Sequence, residues 1–183
     1  MPMTSTPPIT TPVEPFRVLP DVWFVFDDGG RSAAGFRGQA GDCVARSIAI
    51  AAQLPYRTVY DALNLAAKAE PVSGRTSSAR NGVQRPTIRR FLSGLGWSWT
   101  PTMRVGSGTT VHLCPEELPL GRLIVSCSKH LTAVIDGVIH DTHDPSRGGT
   151  RCVYGYWSKP EGARFIAGSS GIELAQTRIG TDL

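Results

Sequence analysis

A thiol able to act as a nucleophile stands at Cys43, between Asp42 and the run Val44-Ala45-Arg46-Ser47-Ile48-Ala49-Ile50-Ala51-Ala52. Gly41-Asp42 reads as a turn followed by an N-cap aspartate, which places Cys43 in the first turn of an apolar helix. Free backbone N–H groups and the positive end of the helix dipole favour thiolate over thiol there. The thiolate is the form that attacks carbonyl carbon in covalent catalysis. The same residue also fits a small buried hydrophobe, so Cys43 becomes a site only if the chain brings it a base.

A base is available at His130. The segment Arg122-Leu123-Ile124-Val125-Ser126-Cys127-Ser128-Lys129-His130 runs into Leu131-Thr132-Ala133-Val134-Ile135, and Asp136-Gly137 then separates it from Val138-Ile139-His140-Asp141. Asp-Gly between β-branched runs is a strong hairpin signal. A two-residue turn pairs Ile135 with Val138, Val134 with Ile139, Ala133 with His140 and Thr132 with Asp141. His130 and Thr132 then share a face with Asp141, and the diagonal from His130 to Asp141 is within reach of a hydrogen bond. An imidazole oriented by a carboxylate is the base half of a catalytic triad.

This order resembles the papain-like cysteine peptidase superfamily: Asp42-Cys43 at a helix start, His130 opening a hairpin, Asp141 on its return strand. It is most similar to the small Cys-His-Asp peptidases of the bacteriocin-processing and related bacterial or phage kind, over about residues 35–160. The resemblance implies hydrolysis of peptide or isopeptide bonds through an acyl-enzyme, with Cys43 as nucleophile, His130 as acid and base, and Asp141 as its orienter. It implies no metal and no organic cofactor, and a peptide or protein as substrate. Its likeness to phage or prophage products also implies a role against host processes, with a host protein as partner and the host cytoplasm as the place of action. Two other classes stay open: acyl transfer on the same triad, and a catalytically silent binding module in a papain-like shell.

The pattern departs from the family in one respect. Papain-like enzymes usually carry a Gln six residues before the nucleophile; here that residue is Arg37, and Gln39 stands closer. Gln39 could join the Cys43 N–H in binding an oxyanion, or it is an ordinary loop residue. Asp144 competes with Asp141 for the third triad position, but the unbroken register turns it to the wrong face, and Asp144-Pro145-Ser146-Arg147-Gly148-Gly149 reads as a turn. His143 falls on the face of His130, where it either lines the cleft or is a solvated turn residue. Cys127, His130, His140 and His143 have zinc-like spacing, but a strand puts His140 and His143 on opposite faces.

The elements that must position these groups follow from the rest of the chain. Residues 1–19 hold Pro-Pro, Thr-Pro and Glu-Pro steps and read as a flexible arm; residues 20–183 read as one domain. A strand is expected at Val22–Phe26, the nucleophile helix at Cys43–Leu54, a second helix at Tyr56–Ala69 and a short one at Pro86–Ser93. Ser73–Val83 reads as a polar loop. Short strands are expected around Trp97–Trp99 and Met103–Val105, and a last one at Arg151–Trp157. Helices first and an antiparallel sheet second is an α+β order.

Composition sets outer limits. Hydrophobic residues are 40% and charged residues 19%, ordinary for a globular domain, and the net charge of +4 permits an acidic partner without demanding one. Arg75, Arg80, Arg85, Arg89 and Arg90 near Trp97 and Trp99 would suit a nucleic-acid strand, but a solvated helix face beside core tryptophans explains them more simply. No apolar run approaches a membrane span, no signal peptide is evident, and the four cysteines form no C-x-x-C pair. A cytoplasmic protein with reduced thiols is the expectation.

Overall fold

The Asp136-Gly137 step makes the tight turn that the sequence predicts. Its φ values of 49° and 86° are the positive pair a two-residue type I′ turn needs. The computed structural model describes residues 23–71, 76–103, 106, 108 and 110–160. In chain order these form β1 (Phe24–Phe26), α1 (Cys43–Ala52), α2 (Tyr56–Ala67), α3 (Arg85–Gly94), β2 (Ser98–Pro101), β3 (Arg122–Cys127), β4 (His130–Ile135), β5 (Val138–Asp141) and β6 (Gly155–Ser158). The expected arm at 1–19, the end of the chain beyond 160, Arg75, and Arg104 and Val105 of one expected strand lie outside the described residues.

The fold is α+β, with three helices and one six-stranded sheet in the order β1-β5-β4-β3-β6-β2. The expected antiparallel sheet needs one correction. β1 runs parallel to β5, Phe24 opposite Ile139 and Phe26 opposite Asp141, so the sheet is mixed. The remaining pairs are antiparallel, and β4–β5 keeps the predicted register of Ala133 with His140, Val134 with Ile139 and Ile135 with Val138. The last strand is shorter than expected. Cys152 makes only an isolated bridge to His112, and the ladder begins at Gly155. A side chain at Gly155, whose φ is 154°, would run into the Trp99 ring and the Thr100 carbonyl of β2.

Strand alternation divides the core in two. Ile124, Leu131, Ala133 and Trp157 pack with the helices, while Leu123, Val125, Val134 and Ile139 pack with Leu113, Leu118 and Val153 on the other side. Helix α1 is buried from Val44 to Ala51, as its nearly continuous apolar sequence requires. It stops at Ala52 rather than Leu54, because Gln53 takes a left-handed conformation with φ 55°. The Gln53 N–H then bonds the Ile50 carbonyl and the Leu54 N–H bonds the Ala49 carbonyl, a Schellman ending. Arg122 of β3 adds a tertiary cap, donating from Nε to the Ala51 carbonyl at 2.7 Å and from Nη2 to that of Ile50. This cation on the negative end of the dipole fixes α1 lengthwise against the sheet. Trp97 is buried and the half-buried Trp99 packs tilted against Trp157 with centroids 4.2 Å apart, so both belong with the core.

Candidate active site

Helix α1 begins at Cys43, and the start of β4 brings His130 to it. His130 is the group that most strongly lowers the Cys43 thiol, and the Leu131 N–H acts in the same direction. On its far side His130 Nε2 lies 2.8 Å from Asp141 Oδ2, across the hairpin as the register predicted. A carboxylate only accepts, so Nε2 carries the proton in this contact and Nδ1 is left for the thiol. Side-chain exposure of His130 and Asp141 is 11% and 4%, so the pair works largely out of water.

The electrostatics follow from this arrangement. Burial alone would raise the Cys43 thiol, but the bond and charge of His130, the Leu131 N–H and the charge of Arg46 outweigh it and hold the thiol below its ordinary value of 9.0. Burial alone would lower His130; the bonds to Asp141 and Cys43 reverse this and raise it to about 9. Burial pushes the Asp141 carboxyl up, and the His130 bond and charge bring it below 3.8. All three shifts favour a thiolate–imidazolium–carboxylate row. The buried thiol Cys127 is pushed by burial to about 11, the inert behaviour of a core cysteine.

The remaining predicted residues separate clearly. Asp144 is exposed and accepts the Ser146 N–H at 2.8 Å, the work of a turn residue. His143 is also exposed, yet its ring lies 5.2 Å from that of His130, so it stands at the rim of the site. Gln39 is exposed in the loop before α1, its carbonyl accepting from Arg80 Nη2 at 3.1 Å. His140 pairs with Asp27 instead of joining Cys127, His130 and His143. No group of three or more His, Cys, Asp or Glu side chains with metal-binding geometry occurs among the described residues.

Asp42 differs from its expected role. It precedes α1 but its carboxylate makes no capping bond. Instead it is fully buried and accepts from Arg31 Nε at 2.9 Å, from Arg46 Nη1 and from the Tyr56 hydroxyl. Two cations and a phenol compete more strongly for a buried carboxylate than the helix N–H groups do. The first-turn N–H groups are therefore free of a side-chain cap. Arg31 also donates to the carbonyls of Phe36, Arg37 and Gly38, so the loop leading to the nucleophile is tied to Asp42. Sequence reasoning missed Arg31, Arg46 and Tyr56. Only Arg46 left a signal: a charge in the middle of an apolar helix, four residues after Asp42.

No protein-family model, no curated protein and no solved structure matches the chain. No helix among the described residues is long and apolar enough to cross a membrane.

Proposed function

We propose that this protein is a cysteine-dependent hydrolase of peptide or isopeptide bonds, with a papain-like arrangement of helix and hairpin. The observation that carries the proposal is His130, 2.8 Å from the buried Asp141 carboxylate and acting on the thiol at the start of α1, which it holds below its ordinary value. Cys43 Sγ, as thiolate, attacks the substrate carbonyl carbon. The oxyanion that forms is bound by the Cys43 N–H. His130 gives its proton to the leaving amine as the C–N bond breaks, leaving an acyl-enzyme. Water then attacks the thioester while His130 takes its proton, and departure of Sγ restores the thiolate–imidazolium pair. Asp141 holds the ring so that the other nitrogen meets the thiol, and stabilises its positive charge.

The chemistry can be tested before the substrate is identified. p-Nitrophenyl acetate acylates activated thiols, and intact mass locates the acyl group. The expected result is a burst of nitrophenolate, an acetyl group on Cys43, and slow turnover as water resolves it. Cys43→Ala and His130→Ala should each lose the burst. Absence of acetylation at Cys43 in the wild type would overturn the enzyme reading and favour a binding module. Turnover that rises steeply with an added amine while hydrolysis stays low would move the reading to acyl transfer.

A further inference from the structure

Arg46 is a charged side chain buried in an otherwise apolar helix. Of the buried residues of α1, all but Arg46 and Ser47 are apolar, and the Ser47 hydroxyl simply returns to the Val44 carbonyl at 3.1 Å. Arg46 is 8% exposed, and its Nε is buried with no hydrogen-bond partner among the described residues. Taking a guanidinium out of water and leaving a donor unmet destabilises a fold that an apolar side chain could fill. Such conflicts between local environment and residue type collect at functional sites.

Its two ends show what it does. Nη1 donates to Asp42, and Nη2 lies 3.6 Å from Asp141 Oδ1. Asp141 thus has Oδ2 on His130 at 2.8 Å and Oδ1 on the Thr142 N–H at 2.7 Å, with the Arg46 cation beside Oδ1. We propose that Arg46 is a positioning residue for the triad: Asp42 anchors its guanidinium from one side, and on the other it fixes the Asp141 carboxylate that orients His130. This rests on the Cys43–His130–Asp141 reading above.

Charge order supports the proposal. From the loop to the nucleophile the groups run Arg31, Asp42, Arg46, Asp141, His130, Cys43, and their signs alternate throughout only when His130 is an imidazolium and Cys43 a thiolate. Each of the four inner charges then lies between two opposite ones, so the row favours the ionised pair over the neutral one. Tyr56 of α2 joins the row without breaking it. Burial and the Asp42 bond push its phenol up, so it stays a neutral donor. His143 faces His130 from the turn after β5 and completes the titratable surroundings.

The test is the pH dependence of Cys43 alkylation by iodoacetamide, read by intact mass from pH ~5 to ~10. Arg46→Met should move the midpoint up by roughly half a unit or more, about threefold slower labelling at a fixed pH below it. Arg46→Lys keeps the charge but loses the fork, and should recover part of the shift. Asp42→Asn loosens the far anchor and should move the midpoint the same way by less. A purely structural arginine would lower the melting temperature in these variants without moving the midpoint, and that result overturns the proposal. If Arg46→Met does not fold, the Lys and Asn variants decide in the same way. A wild type with an ordinary thiol profile would overturn the triad reading and this proposal together. A low, His130-dependent wild-type midpoint that the Arg46 variants leave unchanged overturns this proposal alone.

Discussion

Two histidine–carboxylate pairs use adjacent residues of β5, and their surroundings could hardly differ more. Asp141 meets His130 at 2.8 Å, with side-chain exposures of 4% and 11%, and the imidazole also acts on the Cys43 thiol. His140 meets Asp27 at 3.3 Å, with exposures of 23% and 34%, at the junction of β1 and β5. Water and salt weaken a contact like the second, whereas the first is screened little. The lesson is that a His–Asp contact on a strand is common structural chemistry. What makes one of them a candidate site is the nucleophile on its other side, the exclusion of water, and the Arg46–Asp42 support behind the carboxylate.

The sharpest way to break this comparison is to remove each histidine in turn. His130→Ala takes away the main group that lowers the Cys43 thiol and leaves burial to raise it, so iodoacetamide labelling of Cys43 near neutral pH should fall by on the order of tenfold or more. His140→Ala should leave labelling at the wild-type rate. Equal effects would mean that the hairpin as a whole, not the triad, governs the thiol.

A second comparison separates the two aspartates of the return segment. Asp141→Ala unlocks the His130 ring, so the acetylation burst should drop by on the order of a hundredfold. Asp144→Ala removes only the bond to the Ser146 N–H and should leave the burst intact. Comparable losses from both would remove Asp141 from the triad.

Stability against pH gives a smaller effect with a definite sign. The folded Asp141 carboxyl titrates below 3.8, so it contributes stability above that pH, and the contribution is lost as pH falls through the lowered folded value. Asp141→Asn should therefore flatten the acid side of the melting-temperature curve. A variant as steep as the wild type would show that the His130 contact does not stabilise the fold. The smallest effect is expected for Asp27→Ala, which removes a half-buried partner of His140 and of the Gly29 N–H and should change stability by about 1 kcal/mol, measured by urea unfolding.

Much of this was legible in the sequence, for local reasons. An apolar run after Gly41-Asp42 makes a helix starting at Cys43, and Asp-Gly between β-branched runs makes a hairpin with one register. The alternation of side chains then brings Asp141 rather than Asp144 to His130. Each of these inferences needed only residues of one helix start or one hairpin, at most eleven apart. The same locality produced the errors. Asp42 has the type and place of a cap, but Arg46 of the same helix, with Arg31 and Tyr56 arriving from outside it, turns its carboxylate elsewhere.

The sequence by itself determined which groups could react and on which local elements they ride: a thiol at a helix start, an imidazole and a carboxylate facing one another across a hairpin. The tertiary structure decided that the two elements meet at Cys43, that β1 joins the sheet in parallel, that Arg122 caps α1, and that Arg31, Asp42, Arg46 and Asp141 form one buried row of alternating charge. The physical reason is range. Turn geometry and side-chain periodicity repeat along the chain and can be read from it, whereas ion pairs between separate elements leave no period and exist only once the core has excluded water around them.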